Sequence, residues 1–132
     1  MFFIITHCKY IKFVDCGDGE IKTVEITPCA AEPCAMKRGS AVKMIITYIS
    51  NQTDSSPVLK PYAKVGVFGI NVTPIDYCEV SDCPVFKMTE NKVPIRVTIP
   101  NWLPASKLTL KAELLSAAGS KFFCGTYEGR II

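Results

Sequence analysis

The sequence predicts an all-β domain, an antiparallel β-sandwich of about seven short strands. Three observations lead there. Apolar residues alternate with period two along most of the chain. Turn-forming clusters interrupt the alternation at short intervals. No stretch keeps helical period for three turns, and prolines are spread throughout.

The first clear element is "KTVEIT", where Val24 and Ile26 face away from Thr23, Glu25 and Thr27. In "AVKMIITYIS", Val42, Met44, Ile46 and Tyr48 share one face, although Ile45 and Ile49 make the other face apolar too. "YAKVGVFGINV" reads as two strands broken near Gly69, with Val65 and Val67 before the break and Ile70 and Val72 after it. "KVPIRVTIP" has the plainest alternation: Val93, Ile95, Val97 and Ile99 against Pro94, Arg96 and Thr98. "KLTLKAEL" repeats it, with Leu108, Leu110, Ala112 and Leu114 opposite Thr109, Lys111 and Glu113. The clusters "DCGDG", "NQTDSSP", "TPIDYC" and "SAAGS" separate these runs as turns.

With 132 residues, 48% of them hydrophobic and 20% charged, the chain suits one globular domain with its own core. The net charge of +3 is spread out, Lys37-Arg38 being the tightest basic pair. Nucleic-acid binders show a basic stripe with stacking aromatics, so that class is set aside. No run approaches the roughly 18 apolar residues of a membrane span. The apolar start "MFFIITHC" lacks a basic n-region, but Thr6 and Cys8 suit the −3 and −1 positions of a cleavage site. We read residues 1–8 as the remnant of a truncated signal peptide and 9–132 as a single domain. An ordinary first strand is the alternative. The sequon Asn51-Gln52-Thr53 fits a secreted, glycosylated chain, and Asn71-Val72-Thr73, followed by Pro74, is a weaker one.

Seven cysteines, at positions 8, 16, 29, 34, 78, 83 and 124, become six once the leader is removed. Six suit three disulfides in an oxidising compartment. Cys29 and Cys34 enclose four residues, as do Cys78 and Cys83. Zinc would favour shorter gaps on glycine-containing turns, and the loops here carry Pro33, Glu32, Glu79 and Asp82. A redox pair would show C-x-x-C near a βαβ pattern, which is absent. Small staples fit these two pairs better. Spacing alone does not fix the connectivity, since six cysteines allow about 15 arrangements.

The cysteine neighbourhoods carry a resemblance. "FVDCGDGEIKTVEITPCAAEPCAMKRG" has D-C-G, then I-K-x-V-x-I, then x-P-C-x-x-x-P-C with a basic residue and glycine. "DYCEVSDCPVFK" has C-x₄-C-P-hydrophobic-x-K, and "KFFCGTYE" supplies a last strand with its cysteine. This ordered set resembles the ML (MD-2-related lipid-recognition) family from about Phe13 to Ile132. It is most similar to the Niemann-Pick type C2-like branch, which includes arthropod carriers and mite group 2 allergens. The resemblance implies an immunoglobulin-like sandwich with a hydrophobic cavity between its sheets, and the pairings Cys16–Cys124, Cys29–Cys34 and Cys78–Cys83. It implies a secreted or lysosomal carrier of a sterol, fatty acid or other small lipid, for lipid transport or chemosensory delivery. Many members place a tyrosine after the second cysteine motif. Here "KMTENKVPIRV" has no aromatic before Trp102, which leaves room for a linear chain.

The expected ligand-binding residues are the inward-facing ones: Val42, Met44, Ile46, Tyr48, Val65, Val67, Ile70, Val72, Val93, Ile95, Val97, Ile99, Leu108, Leu110, Leu114 and Phe122. Met44 adds a flexible, polarizable surface, and the Tyr48 or Tyr62 hydroxyl near the mouth would give specificity. Phe122, Phe123 and Trp102 suit either rim or core. Catalysis is not expected: the lone histidine, His7, sits in the leader, and no phosphate loop or nucleophile elbow is present. No cofactor or metal is called for. A monomer is expected, with a small hydrophobic ligand and room for a membrane-protein receptor or transient membrane contact. Two other functions compete. One is an MD-2-like recognition module presenting microbial lipid to a receptor; the other is a structural secreted domain with a filled core.

Overall fold

A computed structural model describes residues 9–70 and 72–132. The expected leader remnant, with His7 and Cys8, and the sequon residue Asn71 lie outside the described residues.

Two sheets face each other. The first is four-stranded and contains β1 (Lys9–Tyr10), β3 (Ile21–Thr27), β5 (Ala41–Ile49) and β9 (Glu90–Thr98), adjacent in that order. The second runs β2 (Val14–Asp15), β11 (Lys121–Ile131), β10 (Lys107–Leu115), β6 (Val58–Val65) and β7 (Phe68–Ile70). Two further pieces join it: β4 (Ala35–Met36) pairs with β11 and β8 (Ile75–Asp76) with β6. Seven strands have three or more residues and four are two-residue pairings, so the expected count describes the longer set. Nearly every pairing is antiparallel. The exception is β4 on β11, a short parallel contact of Ala35 with Arg130 and Met36 with Ile131.

The inward faces are those that the alternation predicts. Val24 and Ile26 on β3, Val42, Met44, Ile46 and Tyr48 on β5, Val93 and Ile95 on β9, and Leu108, Leu110, Ala112 and Leu114 on β10 are all buried. Ile45 and Ile49 are half-buried on the outer face of β5. β5, paired on both edges by β3 and β9, carries the most apolar of the longer strand sequences. On β11 the run Phe122-Phe123-Cys124 is wholly buried, so both phenylalanines are core residues, whereas Trp102 is 75% exposed.

The break in "YAKVGVFGINV" falls one turn earlier than the sequence suggests. Val65 pairs with Phe68, leaving Gly66-Val67 as a two-residue loop. Gly66 has φ +58, the left-handed conformation that such hairpin turns ask of their first central residue. Val67 therefore sits at a hairpin tip, 85% exposed, and does not face the interior as expected.

Three disulfides close the frame: Cys16–Cys124, Cys29–Cys34 and Cys78–Cys83. The first ties the segment after β2 to β11 across 108 positions of sequence. The second staples the loop between β3 and β4. The third fastens a single helical turn, α1 (Tyr77–Val80), to the chain that follows it. Asp76 caps α1 by accepting a hydrogen bond from the Cys78 N–H at 3.0 Å. The six described cysteines are all in disulfides, so none of them is left to hold zinc.

Candidate ligand cleft at the open edge of the sandwich

The two sheets are not closed on the side where β7 edges one and β9 edges the other. Between them lies a cleft of ≈ 320 Å³ lined by Ala63, Ile70, Val72, Thr73, Arg96, Val97, Thr98, Ile99, Pro100, Leu103, Leu108 and Leu110. Strand ends position it. β6 and β10 run antiparallel, with Val65 beside Leu108, so the end of β6 and the start of β10 meet at one end of the sandwich. The chain leaving β9 bends there through Pro100, and Leu103 turns inward to 3% exposure.

Two smaller voids of ≈ 20 Å³ each adjoin it. Each has room for about one water and none for a lipid. One is walled by Met44, Ala63, Val72, Ile95, Val97, Leu110 and neighbours. The other is walled by Phe13, Ile21, Val24, Met44, Ile46, Leu110, Ala112, Tyr127 and backbone at Gly125. Leu110 borders all three spaces, Met44 both voids, and Ala63, Val72 and Val97 both the cleft and the nearer void. The space between the sheets is therefore a series of compartments divided by a few side chains, not one open chamber. At Gly125 on β11 the other sheet packs close: a methyl group there would lie 2.7 Å from Ile21 Cδ1.

Of the residues expected to meet a ligand, Ile70, Val72, Val97, Ile99, Leu108 and Leu110 line the cleft. Met44, Ile46 and Ile95 line the voids. Val42 and Val65 are buried without bordering any of these three spaces. Tyr48, Val93, Leu114 and Phe122 pack in the opposite half of the core, each 0% exposed.

The two expected polar tyrosines do not share a mouth. The Tyr48 hydroxyl is sealed in the core, donating to Tyr77 Oη at 2.8 Å, with the Tyr48 ring 4.8 Å from that of Phe123. Burial, reinforced by the Tyr77 hydroxyl, pushes the Tyr48 phenol far above its usual value. Tyr62 is 42% exposed, packs over Gly69 and borders the void nearer the cleft. Tyr127, beside the inner void, accepts a hydrogen bond from the Cys34 N–H at 2.9 Å; burial raises its phenol as well.

Sequence reasoning missed Ala63, Leu103, Phe13 and Tyr127 as lining residues, and Arg96, Thr98 and Thr73 as the polar rim. Arg96 and Thr98 were visible as the outward face of "KVPIRVTIP". On an edge strand an outward side chain can curl back over the cleft, and alternation carries no signal for that.

The architecture and disulfide frame agree with a family match: the ML domain model matches residues 10–131. The chain belongs to the ML domain family. Among relatives of this ML domain is the mite group 2 allergen Gly d 2.02 of Glycyphagus domesticus, 31% identical over 123 residues, which cover 92% of this chain and 98% of that protein. The NPC intracellular cholesterol transporter 2 of Bos taurus is 29% identical over 119 residues, 86% of this chain and 80% of that protein. Among solved structures, a Niemann-Pick type C2 protein from Japanese carpenter ant has the same fold, with a TM-score of 0.71 at 20% identity. That match covers 92% of this ML domain chain and all of the other.

Proposed function

We propose that this ML domain is a carrier that holds one small hydrophobic molecule, a sterol or a linear lipid, with one end in the edge cleft and the rest between the sheets. The observation that carries the reading is the cleft itself. Its volume of ≈ 320 Å³ falls in the range of about 300–1,000 Å³ usual for small-molecule sites. Its walls are mostly apolar; Leu110, Val97, Val72 and Ala63 are shared between it and the adjoining voids, and Met44 is shared between the two voids. Met44 can change rotamer at little cost, so ligand entry joins the compartments by moving side chains and leaves the fold intact. Burial of apolar area drives binding at about 25 cal/mol per Å². The name of the bovine relative, a cholesterol transporter, supports a lipid cargo.

Secretion belongs to the same reading, because three disulfides suit an oxidising compartment. So does a glycan at Asn51, which is exposed in the turn after β5. The test is gentle-ionisation mass spectrometry of protein secreted from eukaryotic cells, before and after solvent extraction. A single adduct of lipid mass that disappears on extraction supports the carrier. A folded protein that stays empty after exposure to a broad lipid mixture would remove it. Exchange of that lipid with vesicles in the absence of any protein partner separates a carrier from a module that presents lipid to a receptor.

A further inference from the structure

Between β9 and β10 the chain runs "IPNWLPAS", residues 99–106, along one end of the cleft. Both ends of this loop are fastened to neighbouring backbone. Gly39 N–H donates to the Ile99 carbonyl at 2.6 Å, Ile99 N–H to the Ser40 carbonyl at 2.9 Å, and Ile131 N–H to the Ser106 carbonyl at 2.8 Å. The middle is nearly untethered. Pro100 and Pro104 have no N–H to donate, and Asn101, Trp102, Pro104 and Ala105 are exposed. Leu103 is the one buried side chain between positions 100 and 105; it lines the cleft with Ile99, Pro100 and Leu108. Among the described residues, a single hydrogen bond reaches positions 100–105 from outside the loop: Arg38 Nη1 donates to the Leu103 carbonyl at 3.3 Å. Arg38 is itself held in place, its backbone N–H and its Nε both donating to the Ile132 carbonyl, at 3.2 and 3.3 Å. Among the described residues it enters no ion pair, so its side chain serves these carbonyls alone.

We infer that residues 100–105 gate the cleft, with Leu103 as the plug and Arg38 as the latch that sets how often the plug lifts. This rests on the carrier reading and adds the route by which cargo passes. A segment held by one buried side chain and one hydrogen bond opens more readily than the strands around it. The prolines fix φ at positions 100 and 104, so the stretch between them swings as a short stiff unit about its fastened ends. Opening breaks a charge-assisted bond and lifts Leu103 from its seat; closing returns both and shields the cargo from water. Arg38 is thus a positioning residue, acting through the Leu103 backbone. Loosening it speeds entry and exit together and leaves affinity where it was.

Trp102 is the chain's single tryptophan and directly precedes Leu103, so its fluorescence reports on the loop. The experiment follows Trp102 emission in a stopped flow while the protein takes up palmitate or cholesterol, and while excess cyclodextrin removes the bound lipid. In wild type the uptake rate should level off as lipid concentration rises, at the rate of gate opening. Arg38→Gln should raise that ceiling and the exit rate by about fivefold each, with Kd held within about twofold. Arg38→Lys, which keeps a charged donor, should fall between the two. Lys37→Gln removes a neighbouring exposed cation whose side chain makes no hydrogen bond to the loop, and should behave as wild type. Urea unfolding of each variant checks the fold. Exchange at the wild-type rate in Arg38→Gln, equal acceleration in Lys37→Gln, or weaker binding without faster exchange would overturn the latch. Uptake that leaves Trp102 emission unchanged would overturn the gate, with the carrier intact. A wild type that takes up neither lipid would overturn the carrier reading itself.

Discussion

Leu110 divides the interior, so shortening it tests the compartment geometry. Leu110 is 5% exposed and borders the cleft and both voids. Leu114, two inward-facing positions further along β10, is 0% exposed and borders none of them. Leucine-to-alanine changes in cores cost about 2.7–5.0 kcal/mol, the spread depending on how well the site was packed. A side chain flanked by voids already lacks partner atoms on those sides and has less to lose. Leu110→Ala should therefore cost about 2–3 kcal/mol and Leu114→Ala about 4–5 kcal/mol. At an unfolding entropy of about 2.1 cal/mol/K per residue, these become Tm losses of about 7–11 °C and 14–18 °C. The functional consequence is opposite in sign, because removing Leu110 joins cleft and voids into one space. A linear lipid at about 100 times its Kd stabilises the form that binds it by about 2.7 kcal/mol, enough to restore most of the Leu110→Ala loss. The assay is urea unfolding of both variants and wild type, with and without lipid. Equal losses for the two alanines, with no greater lipid rescue of Leu110→Ala, would refute the compartment argument.

Removing Cys16–Cys124 by a double change to alanine opens a constraint spanning 108 positions and should cost up to about 4.8 kcal/mol, against about 2 kcal/mol for the Cys29–Cys34 staple; equal urea midpoint shifts would contradict this ranking. Tyr48→Phe should cost about 1–3 kcal/mol by stranding the Tyr77 hydroxyl, whereas the double change to phenylalanine at 48 and 77 should recover most of it. Because burial raises the Tyr48 phenol above its unfolded value near 10, its contribution is complete below pH 10. Stability should then fall as pH rises beyond it, by up to about 1.4 kcal/mol per unit, less steeply in Tyr48→Phe. Urea midpoints between pH 9 and 11.5 measure that slope.

The strand faces were legible because period-two alternation survives wherever a strand has one buried side, as on β9 and β10. The short pairings β1, β2, β4 and β8 were not legible, since two residues carry no period. The hairpin was displaced because two glycines compete in "GVFG"; pairing of Val65 with Phe68 chose Gly66, and Gly69 serves the close approach of Tyr62. The cysteine pairings came with the family motifs and not from spacing. The site was half legible. Alternation finds inward side chains, but it does not reveal that Tyr48, Leu114 and Phe122 meet solid packing while Leu110 meets open space. That division follows from where the sheets part, at the edge formed by β7 and β9, and strand order is not carried by alternation.

If the cargo enters through the edge cleft, a plug at its rim keeps it out. Val97 is half-buried on the cleft wall and also borders the nearer void, so Val97→Trp fills the cleft from its rim without entering the fully packed half of the core. Titration of wild type and Val97→Trp with a C16 fatty acid and with cholesterol, each variant checked for a cooperative unfolding transition, is the measurement. Folded Val97→Trp should lose at least about tenfold in affinity for whichever lipid wild type takes up, the equivalent of about 1.4 kcal/mol. Unchanged affinity in a folded Val97→Trp protein would contradict it and place the ligand elsewhere.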